Sequence, residues 1–187
     1  MMKAMKICRL VMTMLALFVI ASCTSDPEWA DPEAHEKTEQ LQKEYGPLLV
    51  GTWHCEYTND MQRYYEQLTF QEDGTLTGYR KWQTRSLVTI NGEQQYTDWE
   101  TMESLVGHFT GRWKLEWVRN GSGVGENRIS LYAKFDDEEK TSLAYSHNDL
   151  FVLSEYCGEI TFRITGFQDH DDDGWTSYQR GAAEPSF

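Results

Sequence analysis

The clearest alternation of apolar and polar residues in the chain runs from His108 to Val118. Phe109, Gly111, Trp113, Leu115 and Trp117 fall on one face, and His108, Thr110, Arg112, Lys114 and Glu116 on the other. Side chains two apart share a face only in an extended chain, so this segment is a half-buried antiparallel strand. The same period recurs elsewhere. Val50–Thr58 sets Trp53, Cys55 and Tyr57 against His54, Glu56 and Thr58, and Arg63–Phe70 buries Leu68 and Phe70. Glu72-Asp73-Gly74 then turns the chain into a strand carrying Leu76, Gly78 and Trp82 on one face, and Asn91-Gly92 marks a second hairpin that returns through Tyr96 to about Thr101. Further runs follow at Arg128–Phe135, Thr141–Tyr145, Leu150–Tyr156 and Glu159–Phe167, with a turn expected at Ser146-His147-Asn148-Asp149. Nine runs are counted, two of which could be one bent strand, and no strand pattern follows Phe167. Seven Trp, ten Tyr and eight Phe, with no Leu-rich helical period outside the first residues, suit an all-β protein.

The beginning of the chain reads differently. Lys3, Lys6 and Arg9 form a basic region, Leu10–Ile20 is apolar, and Ile20-Ala21-Ser22-Cys23 follows. Such a run is too short to span a bilayer, which takes about 20 residues, so a cleaved signal is expected. The pattern resembles bacterial lipoprotein signals, which implies a signal peptide over 1–22, acylation (palmitate) of Cys23, and a membrane anchored through N-terminal acyl chains. Asp26 and Glu28 loosely resemble the export signals that send Bacteroidota lipoproteins to the cell surface. The implied location is the bacterial outer membrane, on its periplasmic face or the cell surface. Cleavage removes three cations and no acid, so the net charge falls from −13 to −16. Such a surface repels nucleic acid, and no nucleic-acid partner is expected. Cys8 leaves with the signal and Cys23 is acylated. Cys55 and Cys157 remain as one pair in an oxidising compartment and are expected to form a disulfide, because closing a barrel joins the first and last strands.

Residues 23–47 read as a tether. Asp31 suits the N-cap and Pro32 the first position of a short helix that Gly46-Pro47 would end. Residues 48–167 then form one domain, and 168–187 an acidic tail. Successive up-and-down strands must deal with their edges, and closure into a single antiparallel β-barrel does so. Gly51-Thr52-Trp53 stands at the first strand, followed by Leu68-Thr69-Phe70-Gln71-Glu72-Asp73-Gly74-Thr75 and the Trp113 strand. Over 48–167 these resemble the lipocalin-like (calycin-type) lipoproteins common in Bacteroidota. The resemblance implies a barrel whose base holds Gly51 and is plugged by Trp53, with an Arg packed on that Trp; Arg163 is the candidate. The second and third lipocalin motifs find no counterpart, which leaves open a related barrel with a filled interior or a small β-barrel inhibitor.

Catalytic patterns are poor. His35, His54, His108, His147 and His170 lack metal-ligand spacing, and there is neither a Gly-x-Ser-x-Gly elbow nor a phosphate loop. No enzyme activity, cofactor or metal is expected. Asp169-His170-Asp171-Asp172-Asp173-Gly174 matches half of a calcium loop, but Arg180 stands where a bidentate Glu is needed. Glu66 and Arg80 would pair with each other or anchor a ligand, with Tyr64 and Trp82 as wall residues. Trp53, Trp82, Trp113 and Trp117 would fill the core or line a mouth. The expected function is binding or carriage of a small apolar or amphiphilic ligand by a lipid-anchored barrel. The alternative is a non-catalytic protein-interaction module, an inhibitor or accessory subunit of a surface complex. An open apolar interior would favour the first, and a filled interior with an exposed aromatic patch the second.

Overall fold

The computed structural model describes residues 31–157, 159–165 and 174–187. Contacts divide the chain into Met1–His35 and Glu36–Phe187. Of the first unit only residues 31–35 are described; there the Asp31 carboxylate accepts from Ala34 N at 3.0 Å, the expected N-cap of helix α1 (Pro32–Leu49).

The second unit is a closed, eight-stranded, antiparallel up-and-down barrel, consistent with a lipocalin-like fold. Its strands are β1 (Gly51–Thr58), β2 (Gln62–Phe70), β3 (Thr75–Thr84), β7 (Gly107–Arg119), β8 (Gly125–Phe135), β9 (Leu143–Tyr156), β10 (Glu159–Thr165) and β11 (Trp175–Arg180). Neighbours in sequence pair in turn, and β11 pairs with β1 to complete the ring. Between β3 and β7 lie the separate hairpin β4 (Leu87–Ile90) and β5 (Glu93–Tyr96), and the short β6 (Glu100–Thr101), which pairs with β3. The alternation read from the sequence sets the wall: Trp53 and Cys55 of β1, Leu68 and Phe70 of β2, and Phe109 and Leu115 of β7 are buried, while Glu56, Thr58 and Lys114 are exposed. Gly78 faces inward beside Phe109 and Gln67; a Cβ there would overlap both, so the glycine makes room for the ring.

Four expectations need correction. The strand pattern does not stop at 167, because β11 lies in the expected 168–187 tail and closes the barrel. There is no turn at Ser146–Asp149: β9 runs through it, with His147 opposite Leu131 and Asn148 opposite Ser130. Pairing along a long β8 outweighs the local turn preference of Ser, Asn and Asp. The helix does not end at Gly46-Pro47, since α1 runs through Pro47 to Leu49. Beyond Arg112, β7 has outrun β3 and its edge is open. Helix side chains fill that edge: Gln42 donates to Leu115 O at 3.1 Å, and Thr38 accepts from Trp117 N at 2.9 Å. Leu41 and Leu49 are buried, and Tyr45 meets Phe151 edge-on at 6.0 Å.

The fourth correction is the disulfide. Cys55 is a buried free thiol and Cys157 an exposed one. His54, next to Cys55, is in register with Gln179 and through it with Thr161. Cys157 lies four residues before Thr161, about 13 Å along the strand at ~3.3 Å per residue, outside the ~7 Å that a disulfide can bridge. Closure does join the ends of the sheet, but it sets the two cysteines at different heights.

Candidate functional site

Three places hold the residues singled out from the sequence: the closed end, the barrel interior and the open end. At the closed end Gly51 takes φ 127°, a conformation that favours glycine, and Trp53 is fully buried. The Trp53 indole donates to Leu49 O at 2.7 Å, which ties α1 to β1, and its ring meets Phe162 at 5.6 Å. The arginine on Trp53 is not Arg163 but Arg180, whose guanidinium lies 5.2 Å from the ring centroid and donates to Val50 O at 2.8 Å. Arg163 faces outward, over Trp175 at 5.5 Å and donating to Ser177 at 3.1 Å. The arginine that packs on Trp53 therefore belongs to the strand after the one expected to carry it. A cleft of about 390 Å³ lies at this end between Gln42, Pro47, Asp73 and Trp113.

Halfway up the interior, β2 and β3 place Glu66 directly opposite Arg80. The carboxylate and guanidinium pair at 2.8 Å, both with side chains 0% exposed. The pair's further partners come from across the barrel. Tyr178 of β11 donates to Glu66 Oε2 at 2.7 Å, the Tyr145 hydroxyl of β9 donates to the same oxygen, and Arg80 donates to Ala144 O at 3.1 Å. The Arg80 guanidinium also lies 5.0 Å from the Tyr145 ring centroid and 5.6 Å from that of Phe109. Burial opposes the Arg80 charge, but Tyr64, Glu66 and Tyr145 outweigh it and hold the proton more tightly than usual. Burial, then the Glu66 charge, push the Tyr64, Tyr145 and Tyr178 phenols well above their ordinary range. The same two causes push the Cys55 thiol up, so it is a poor nucleophile. Around this network Phe70, Leu76, Ile129, Leu131, Phe162 and Ile164 are almost wholly buried. A buried carboxylate saturated by a guanidinium and two phenols holds strands together; among the described residues nothing beside it presents an activated nucleophile.

Tyr64 sits above this pair, fully buried and edge-on to Trp82 at 5.9 Å. Trp82 is half-buried, and its indole N–H is buried with no acceptor among the described residues. The structure therefore brings Tyr64, Glu66, Arg80 and Trp82 into one inward column, as the alternation implied. It adds Tyr145 and Tyr178, which sequence reasoning missed. Tyr178 had a signal, the inward Thr176-x-Tyr178 step of β11, but six residues after an acidic run are too few to read. Trp113 packs edge-on to Phe70 at 5.4 Å, and Trp117 lies under Lys37 at 4.3 Å, so both close the α1 end.

Cys23 and most of the Asp169–Gly174 loop lie outside the described residues. Arg180, the loop's twelfth position, is committed to Trp53. Among the described residues no group of three His, Cys, Asp or Glu is placed to hold a metal ion. No family model matches the chain, and searches of curated proteins and of solved structures likewise return no match.

Proposed function

We propose that this protein is a lipid-anchored, lipocalin-like envelope protein that works as a non-catalytic protein-interaction module. The barrel is its rigid scaffold, and its end connections are the recognition surface. The observation that carries this reading is the filled interior: the residues best suited to hold a ligand, Tyr64, Glu66 and Arg80, are fully buried among barrel side chains. An eight-stranded barrel either fills with its own side chains or holds one small ligand, and this one has the contacts of the first kind. The signal pattern at residues 1–23 supports anchoring at Cys23 and an outer-membrane location for the module.

A second reading, a small ligand held at the mouth, is favoured by one observation. The Trp82 indole N–H is an unsatisfied buried donor that a ligand acceptor could meet.

Titration of the full chain with a fluorescent fatty-acid probe separates the two. No saturable binding is expected. Stoichiometric binding that quenches tryptophan emission and is lost in Trp82→Phe would establish a carrier and end the filled-scaffold reading. For the anchor, radiolabelled palmitate should enter the native chain in a bacterial host and not Cys23→Ala. Equal labelling would remove the lipoprotein assignment.

A further inference from the structure

Between Thr84 and Glu100 the chain leaves the barrel wall. β4 and β5 pair only with each other, around an Asn91-Gly92 turn with φ 55° and 87°. That is the primed turn whose twist suits a tight hairpin. Thr97 N donates to Ser86 O at 2.9 Å, which sets the phase of the ladder. With it, Val88–Gln95 and Ile90–Glu93 are the bonded pairs. The backbone groups of Leu87 and Thr89 on one edge, and of Gln94 and Tyr96 on the other, therefore point away from the hairpin. Neither edge pairs with another strand among the described residues. Leu87, Ile90 and Tyr96 are exposed, as is Met61 of the adjoining β1–β2 loop.

Beside this hairpin stands a cation–aromatic cluster. The Arg63 guanidinium lies 4.2 Å from the Trp99 ring centroid; that of Arg85 lies 4.5 Å from the same ring and 4.2 Å from Tyr96. Arg85 Nε donates to Asp60 O at 2.6 Å and its backbone N to Met61 O at 2.9 Å, which fixes the loop to the base of the hairpin. Neither arginine forms an ion pair with a carboxylate among the described residues. Two like charges on one indole repel each other. A guanidinium stacked by its face still offers its N–H edge as a planar fork for carboxylate.

We propose that the β4–β5 hairpin and the Arg63–Trp99–Arg85 cluster form the docking site for an extended, acidic segment of a partner protein. The segment adds a strand to a free hairpin edge and sets its carboxylates on the two guanidinium forks. This rests on the interaction-module reading and names the chemistry of the partner. Charge complementarity asks for an anion, and the unpaired backbone edge asks for a peptide rather than a polysaccharide or a simple anion. Leu87 and Tyr96 are exposed cross-strand partners on one face and suit the alternate apolar side chains of such a peptide, and Trp, Tyr and Arg are the residues that dominate interface energies.

The test pans a library of random linear peptides on the full chain and measures the selected peptides against variants. Enriched peptides should carry acidic residues spaced two apart. They should bind Arg63→Glu/Arg85→Glu weaker by about tenfold or more, and Arg63→Lys/Arg85→Lys with an intermediate loss. Thr89→Pro or Gln94→Pro, each removing an outward N–H from one edge, should weaken binding on the edge that is used. Tyr132→Lys, on the exposed outer face of β8, should leave it unchanged. Each variant is compared with the parent by thermal unfolding. Peptides without acidic bias, or indifferent to charge reversal, would overturn the proposal. Peptides lost in Tyr132→Lys would overturn it too and leave the interaction module standing. Should nothing be enriched, and photocrosslinkers at Ile90 and at Tyr132 capture no protein in cells, proposal and module fail together.

Discussion

Arg80→Met should lower the unfolding free energy by about 3–5 kcal/mol, the usual cost of leaving one member of a buried ion pair without the other. Arg80 is the cation facing the Glu66 carboxylate, and both side chains are wholly shielded from solvent. Without it the carboxylate keeps only the two phenol donors of Tyr145 and Tyr178. The double variant Arg80→Met/Glu66→Gln should recover a large part of the loss. Removing both charges takes away the desolvation penalty, and the Gln amide oxygen still accepts from the phenols. Urea unfolding of the three chains measures this directly. An Arg80→Met chain within about 1 kcal/mol of the parent would mean that the pair is not a structural device. A carrier would respond differently: there, the same substitutions would show their main effect only with ligand bound.

Alkali should unfold the barrel steeply. Tyr64, Tyr145 and Tyr178 are held well above their ordinary value of 10.0, and Cys55 well above 9.0, by burial first and by the Glu66 charge second. A group whose folded pKa is raised contributes stability that is fully present below its unfolded pKa. The contribution is lost as pH climbs towards the folded pKa, because the unfolded chain releases its proton first. Loss should therefore begin near pH 9 with Cys55 and steepen above pH 10 with the three tyrosines. Four groups, each worth about 1.4 kcal/mol per pH unit, give a limiting slope of ~5 kcal/mol per unit. A typical domain stability of about 5–15 kcal/mol would be exhausted within a few pH units. Phenolate absorbance from these tyrosines should appear together with the loss of circular dichroism. Gradual phenolate formation in a chain that stays folded would show that the interior is open to hydroxide.

The open end is where the interior and the proposed recognition surface separate. Below it, the Glu66–Arg80 pair is bonded by Tyr145, Tyr178 and Ala144 O from across the barrel. Above it, β4 and β5 carry a turn, two edges that pair with no other described strand, and exposed apolar residues. A lone two-stranded hairpin is marginally stable in water, so contacts at its base have to hold it. Arg85 supplies them by bonding the 60–61 loop and lying against both Tyr96 and Trp99. The residues that steady the hairpin are thus those that leave cationic edges at its side.

What the chain states locally, it states well. Alternation with period two settles which side of a strand each residue faces. The inward column of Tyr64, Glu66, Arg80 and Trp82, and the hairpins at Asp73-Gly74 and Asn91-Gly92, are therefore legible in the order of residues alone. The barrel itself is legible because many short strands in succession leave few other ways to cover their edges. Partners across the ring are not legible, since they depend on strand tilt and on which strand closes it. Six residues, Trp175–Arg180, decide that closure. They bring Tyr178 to Glu66 and Arg180 to Trp53, and they keep Cys55 and Cys157 at different heights. The Ser146–Asp149 segment is similar: its turn preference is local and weak, and pairing with β8 along its length overrides it. Helix α1 reads as polar all round because its bonds go to the β7 edge through Thr38 and Gln42, and an edge left open by unequal strand lengths exists only once the sheet has closed.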